Sequence, residues 1–145
     1  MQAHPLAHAI RIAAEVHEGQ LDKAGQPYIL HVLRVMFGCQ SPDAQVASAL
    51  HDVVEDSDWT LDDLRREGFS ETVVGIVDAL TRRDGEDYFD FARRAASTPL
   101  GREVKRADLL DNMDLRRLAD PTEKDWERLK RYRAALDMID GPSPA

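Results

Sequence analysis

Cysteine is nearly absent from this chain, because Cys39 stands alone among 145 residues. A single thiol forms no internal disulfide and cannot build a cysteine-based zinc site. Long apolar runs are absent too, since no stretch approaches the ~20 apolar residues that span a bilayer. The first residues show no basic region followed by an apolar run, as a signal peptide would. These absences predict a cytoplasmic protein that makes no use of a membrane.

Positive charge and aromatic side chains are both scarce. Lysine and arginine number 19 against 27 aspartates and glutamates, which gives a net charge of -8, and aromatics make up 6%. Binding to nucleic acid or to an anionic membrane needs a basic surface that meets phosphate. The balance therefore argues against those partners. A small anionic substrate remains compatible, provided that a metal meets its charge.

Strand-like alternation is missing, whereas apolar residues recur at helical spacing along most of the chain. The pattern predicts helices over 5–18, 27–37, 43–55, 61–67, 71–80, 87–96, 100–118 and 123–139. The second is apolar almost all round and is expected to be a core helix, and the last is expected to bury Trp126. We predict one all-α domain of about seven to eight helices over residues 1–140, followed by a flexible tail at 141–145.

Four polar residues lie on helices that otherwise look buried: His31, His51, Asp52 and Asp108. Burying several ionisable groups is costly unless something compensates them, and one divalent metal held by two imidazoles and two carboxylates would do so. The mixed nitrogen and oxygen donors favour manganese, iron or magnesium, with zinc also possible. Taken singly, the residues have a plainer interpretation, in which each histidine is structural and the aspartate pairs with Lys105 or Arg106.

Two further acids follow the His-Asp pair by one helical turn. Residues four apart share a helix face, so Glu55 is expected beside His51 and Asp56 beside Asp52. A metal would acidify a water and polarise a phosphoryl oxygen, and the two acids could orient or deprotonate that water. Alternatively, they only end a helix before a solvated acidic loop. The adjacent His-Asp pair favours the catalytic interpretation.

Several short motifs together resemble one enzyme family. They read HEGQ at 17–20, GQPYILH at 25–31, ALHDVVED at 49–56 and ADLLDNM at 107–113. In this combination and order the chain resembles the HD-domain metal-dependent phosphohydrolases, and within them the hydrolase domain of the RelA/SpoT family. The stand-alone small alarmone hydrolases, including the metazoan SpoT homologues, are similar in size. The resemblance covers about residues 6–135.

The resemblance implies an HD helical bundle that binds one divalent metal, manganese before iron, magnesium or zinc, through the four residues above. It implies removal of the 3′-pyrophosphate from a guanosine or adenosine polyphosphate alarmone such as ppGpp, a signal of the stringent response. Glu55 and Asp56 would be catalytic. The positions implied to contact nucleotide or phosphate are Lys23, Asn112 and Tyr132, with Arg93 and Arg94 as looser matches. For Tyr132, a place at the edge of the core is an equal alternative.

The chain departs from the family pattern around the expected pocket, where cations are lost and acids gained: Asp22, Leu109, Asp111 and Asp114. A carboxylate a few ångströms from a phosphate is unfavourable, so we expect weaker binding of a highly charged tetraphosphate unless other arginines compensate. Three alternatives follow: hydrolysis of another nucleotide or phosphoester, a non-catalytic nucleotide-sensing module that keeps the metal, and a helical scaffold without metal. The oligomeric state does not follow from the sequence.

Overall fold

The computed structural model describes residues 4–141, and they are helical throughout the core. The helices are α1 (Pro5–Val16), α2 (Tyr28–Phe37), α3 (Pro42–Leu50), α4 (Val53–Asp56), α5 (Leu61–Arg66), α6 (Glu71–Leu80), α7 (Tyr88–Ala95), α8 (Pro99–Asn112) and α9 (Glu123–Asp140), with a 3₁₀ turn at Leu115–Arg117. Extended pairing in this range is limited to one isolated antiparallel bridge between Leu21 and Pro27. The prediction of an all-α fold is confirmed.

Side-chain caps explain where several helices begin. Thr60 and Thr122 each accept a hydrogen bond from the backbone three residues on, and the aspartate there bonds back to the cap, which makes two capping boxes. Ser70 caps α6 through its hydroxyl. Each cap satisfies amide groups that the first helical turn leaves free.

Helix α3 lies at the centre of the fold and packs against α1, α2, α6 and α8. Its buried residues include the alanines 44, 47 and 49, whose small side chains let neighbouring helices approach closely, together with Val46 and Leu50. Helix α9 covers a second apolar cluster that α7 and α8 share, formed by Ala92, Leu109, Ala135 and Leu136. The central position of α3 carries His51, which follows it directly, into the interior.

Two predicted helices are shorter than the sequence suggested. The prediction of one helix over 43–55 is wrong, because the chain turns at His51 and Asp52 before α4 begins. The His51 ring bonds to the carbonyl of Ser48, which an uninterrupted helix would give to a backbone amide. The predicted helix over 100–118 ends at residue 112, after which Asp114 caps the 3₁₀ turn.

Two predictions of burial are wrong as well. Trp126 is 50% exposed and Phe37 is 78% exposed. Helix α9 buries only Ala135 and Leu136 fully, because it covers one edge of the fold. Helix α2 packs on α3 and α8, with a smaller contact to α1, and leaves Leu30 and Phe37 exposed.

Of the predicted tail, Gly141 ends α9, and residues 142–145 lie outside the described part of the chain. None of the helices described is both long and apolar enough to span a membrane.

Candidate active site

The structure brings the four predicted metal ligands together. His31 comes from α2, His51 and Asp52 from the turn after α3, and Asp108 from α8. Donor atoms of the first three all lie within 4.8 Å of one another. The Asp108 Oδ1 atom is 3.2 Å from Nε2 of His31 and 3.6 Å from Nε2 of His51. Two imidazole nitrogens and two carboxylates therefore surround one small space.

Both histidines are oriented by a bond on their far nitrogen. Nδ1 of His51 donates to the carbonyl of Ser48, which can only accept, so Nε2 carries the lone pair. Nδ1 of His31 lies 2.6 Å from a carboxylate oxygen of Asp111, which fixes the same tautomer. Nε2 of His51 is buried and makes no well-directed hydrogen bond among residues 4–141, although Oδ2 of Asp52 lies 3.0 Å from it. A metal cation would satisfy this atom, so the residues present fit the metal that the motifs imply.

The charges at the site also favour a cation. Burial lowers the pKa of His31, but hydrogen bonds to Asp108 and Asp111 outweigh it and raise that pKa to about 9. Burial opposes the charged form of Asp108 too, yet Lys105 and the two histidines hold its pKa well below the usual range. The carboxylates thus stay ionised and attract either protons to the imidazoles or a metal between them. A metal would displace those protons.

Three side chains hold the carboxylates of the candidate ligand set in place, and one of them, Tyr28, was not among the predicted site residues. The Tyr28 hydroxyl donates to Asp52. Asn112 Nδ2 donates to Asp108 Oδ1 at 3.1 Å, and Lys105 Nζ lies 3.4 Å from Asp108 Oδ2. Tyr28 could have been found from the sequence, because it lies in the same motif as His31, three residues before it. The sequence analysis named Lys105 as a partner of Asp108, but only for the case in which no metal is bound.

The two predicted catalytic acids have different surroundings. Glu55 lines the cavity that holds the metal-ligand atoms and accepts a hydrogen bond from the backbone amide of Arg82. Burial raises the pKa of Glu55 despite that amide, and the nearby charges of Asp52 and Asp56 add to the effect. Asp56 lines neither cavity and accepts a hydrogen bond from Gln20 Nε2 at 3.2 Å. A base with a raised pKa inside the cavity is suited to take a proton from water.

A larger cleft adjoins the metal cavity. Its volume is about 250 Å³, against about 180 Å³ for the metal cavity, and the two share Tyr28, His31, Asn112 and Tyr132 in their walls. Lys23 also lines the cleft and donates to the Tyr132 hydroxyl at 3.2 Å. Apolar side chains complete the wall: Leu21, Leu115 and Leu118. All three predicted substrate contacts therefore lie beside the metal ligands.

The acids that distinguish this chain from the family are paired with arginines. Arg117 binds Asp22 at 2.7 Å, Arg34 binds Asp111 at 2.6 Å, and Arg116 binds Asp114 at 2.8 Å. Each of these carboxylates therefore carries its own counter-charge. Leu109 is fully buried in the cluster under α9 and takes no part in the cleft.

The two arginines of α7, Arg93 and Arg94, lie outside both the cleft and the metal cavity. Arg94 bonds to Glu86 at 2.7 Å and donates to backbone carbonyls at the end of α6, such as that of Asp78 at 3.1 Å. Arg93 pairs with Asp90 on the surface. Neither lines the cleft or the metal cavity. The structure thus gives Arg94 a role in joining α7 to α6 instead of contacting phosphate.

The chain belongs to the HD domain family, whose model matches residues 9–130. This confirms the resemblance drawn from the motifs. Membership of the family implies that a divalent metal is bound, and the cluster just described is the candidate site.

Relatives with assigned functions match over part of their length. A protein of Streptomyces coelicolor named GTP pyrophosphokinase is 34% identical over 122 residues, covering 74% of this chain and 14% of its own. A guanosine-3′,5′-bis(diphosphate) 3′-pyrophosphohydrolase of Aquifex aeolicus is 30% identical over 123 residues, covering 77% and 18%. One of the same name from Vibrio cholerae is 32% identical over 126 residues, covering 83% and 17%. The chain thus spans less than a fifth of these relatives.

The fold also matches a solved structure, described as a metazoan ortholog of SpoT that hydrolyzes ppGpp. The TM-score is 0.77, the sequence identity 22%, and the match covers 100% of this chain and 90% of the other. At this identity the likeness concerns the arrangement of helices. It confirms the HD-type bundle expected from the sequence.

Proposed function

We propose that this protein is a metal-dependent phosphohydrolase that removes the 3′-pyrophosphate from a guanosine or adenosine polyphosphate in the cytoplasm. The observation that carries the proposal is the junction of two cavities. One is lined by two imidazoles and two carboxylates that can serve as a ligand set, and the other is a cleft with apolar and cationic walls. The names of the relatives support this substrate class.

The ligands in this proposal are His31, His51, Asp52 and Asp108, and the metal is manganese. Such a metal supplies Lewis acidity toward a phosphoryl oxygen and lowers the pKa of water. A hard, mixed nitrogen and oxygen donor set suits it. Tyr28, Asn112 and the far-side partners of the imidazoles keep the donor atoms in position, which matters because ligand orientation controls metal affinity.

The reaction proposed is a hydrolysis at the phosphorus attached to the 3′-oxygen. Glu55 accepts a proton from the attacking water, whose oxygen bonds to that phosphorus while the bond from phosphorus to the 3′-oxygen breaks. The 3′-oxygen takes up a proton through solvent, and Glu55 returns the one it accepted to solvent, so that no net proton is gained or lost. We assign Asp56, which Gln20 holds, to assist the departure of the 3′-oxygen. The products are a nucleotide with a free 3′-hydroxyl and inorganic pyrophosphate.

The cleft residues have binding roles in this proposal. The leucines of its wall offer an apolar surface to the base, because burial of a ring against them removes apolar area from water. Lys23 brings a positive charge, and Tyr132 offers a hydroxyl held next to that ammonium. Asn112 lies at the boundary between the two cavities and keeps Asp108 oriented toward the metal.

Most cations of the cleft are paired with carboxylates, and this favours a second candidate substrate for the same hydrolytic reaction. Arg117 is bound to Asp22 and Arg128 to Asp125, so within the described chain Lys23 is the cation of the cleft that no carboxylate pairs. A nucleotide or phosphoester with fewer charges than a tetraphosphate needs fewer free cations. Such a substrate would use the same metal and the same water-activating acid.

The test is a substrate panel. Purified protein reconstituted with manganese is offered guanosine and adenosine 3′-pyrophosphates together with nucleotides of lower charge, and products are separated by chromatography. We expect release of pyrophosphate from at least one 3′-pyrophosphate. Asp52→Ala, which removes one metal ligand, is the control. If no substrate turns over faster with the unmodified protein than with this variant, the proposed function is wrong, and tight binding without product would indicate a sensing module.

A further inference from the structure

The metal cavity has a second end that the proposed mechanism does not use. Tyr88, Phe91 and Lys105 line the metal cavity but not the neighbouring cleft. They come from α7 and α8, whereas Lys23 of the cleft wall lies in the loop before α2. These three residues, which we call the Tyr88 subsite, therefore border a part of the metal cavity that the cleft does not share.

The hydroxyl of Tyr88 is the first sign that something binds there. Its oxygen is buried and has no hydrogen-bond partner within the described residues. A buried donor without an acceptor is unfavourable, so such groups in native proteins call for an explanation. Cations surround the ring: the Arg131 guanidinium is 5.0 Å from its centroid, and the Arg82 guanidinium and the Lys105 ammonium are each 5.8 Å from it. An anion is the partner that this environment favours.

Lys105 is the second sign. Its side chain is buried, with 5% exposure, and Nζ lies 4.6 Å from the centre of the Phe91 ring. The ammonium carries three donor hydrogens, and one carboxylate, Asp108 at 3.4 Å, is near it in the described range. That carboxylate already faces both histidines and Asn112. Lys105 thus retains donor capacity toward the cavity.

We infer that the Tyr88 subsite binds the distal phosphate of a pyrophosphate group whose proximal phosphorus faces the metal ligands. This inference rests on the proposed function, because the reaction places a diphosphate at the metal. The distal phosphate changes no bond during hydrolysis. It accepts a hydrogen bond from the Tyr88 hydroxyl and one from Lys105 Nζ. The subsite would thereby select a pyrophosphate over a monophosphate ester, since a monophosphate has no group that reaches it.

Calorimetry with two inorganic probes tests this inference without catalysis. Pyrophosphate and phosphate are each titrated into manganese-loaded protein, whose metal content is measured before and after to exclude stripping. We expect the unmodified protein to bind pyrophosphate more tightly than phosphate. Tyr88→Phe should weaken pyrophosphate binding by about tenfold or more, the size of one hydrogen bond to a charged group. Phosphate binding should stay unchanged.

Two variants make the test specific. Lys105→Met keeps the aliphatic stem on Phe91 and should weaken pyrophosphate binding as Tyr88→Phe does. Lys130→Met is the matched control for the lysine change, because Lys130 is exposed on α9 and lines neither the metal cavity nor the cleft, and it should leave the affinity for pyrophosphate unchanged. The melting temperature of Tyr88→Phe should equal or slightly exceed that of the unmodified protein, because the substitution removes a buried donor that has no acceptor.

The outcomes separate this inference from the proposed function. Equal affinities for the two probes, or an equal loss of both in Tyr88→Phe, would overturn the subsite even if a 3′-pyrophosphate is hydrolysed. A preference for pyrophosphate that depends on Tyr88 would support the subsite even if no nucleotide in the panel turns over. In that second case the proposed function would fail while the anion site stands.

Discussion

Replacing Asp111 with asparagine perturbs the metal site without touching a ligand. Its carboxylate accepts a hydrogen bond from Nδ1 of His31 at 2.6 Å and another from Arg34 at 2.6 Å. Asparagine keeps the size of the side chain but removes its charge. The imidazole loses the partner that makes Nε2 a strong donor, and the guanidinium loses its counter-ion in a half-buried place.

The expected loss can be sized from the position of the carboxylate. Removing a hydrogen-bond partner behind a metal-bound histidine typically lowers metal affinity by about 10–100-fold. That corresponds to roughly 1.4–2.7 kcal/mol, at 1.36 kcal/mol for each factor of ten. The upper half of the range is expected for Asp111→Asn, because the carboxylate is 10% exposed and its charge is screened little by solvent.

Competition with a fluorescent chelator measures the dissociation constant for manganese in the two proteins. The matched control is Asp114→Asn, which removes another of the acids peculiar to this chain but one paired with Arg116 on the surface. The control should bind manganese as the unmodified protein does. Equal metal affinity in Asp111→Asn and the unmodified protein would refute the role given to Asp111 in orienting the ligand.

Three further predictions concern the water-activating acid, the α7 arginine and pH. Glu55→Gln should retain manganese but hydrolyse the substrate about 10²–10⁴-fold more slowly, as measured by product chromatography, because it loses the general base; undiminished turnover would contradict this. Arg94→Ala should lower the free energy of unfolding, measured by urea titration, by about 2 kcal/mol, because the bonds to Glu86 and to carbonyls of α6 are lost. The control Arg93→Ala, at an exposed position, should change it by less than about 0.5 kcal/mol. Equal effects of the two substitutions would contradict the role of Arg94 in joining α7 to α6. In metal-free protein, His31 stabilises the fold fully below about pH 6.5 and loses this contribution as the pH rises through about 9. The melting temperature in chelator should therefore fall over that interval, and a flat profile would contradict the assigned pairing.

Helix starts were predictable because their determinants are local. Thr60 and Thr122 each have an aspartate three residues on, so the capping boxes can be read from the sequence. The break after α3 was not predictable, since residues 43–56 fit a continuous helix by composition. It depends on the His51 ring bonding to Ser48, and on the packing that buries this ring. Exposure of Trp126 likewise depends on which edge of the fold α9 covers.

Residue types and motif order were enough to select the four candidate ligands, and the structure places these residues around one space. Their partners were harder to identify. Asp111 was interpreted as an acid that would repel phosphate, because its partners His31 and Arg34 are 80 and 77 residues away. Tyr88 carries no local signal at all: its significance lies in a buried hydroxyl without a partner. Such relations arise only when distant helices meet.

The central claim is that one divalent metal is held by His31, His51, Asp52 and Asp108. Crystals grown with manganese, measured on both sides of the manganese absorption edge, test it most directly. We expect a single anomalous difference peak between Nε2 of the two histidines and the two carboxylates, within coordination distance of all four side chains. No peak there, or a peak only elsewhere on the protein, would contradict the account.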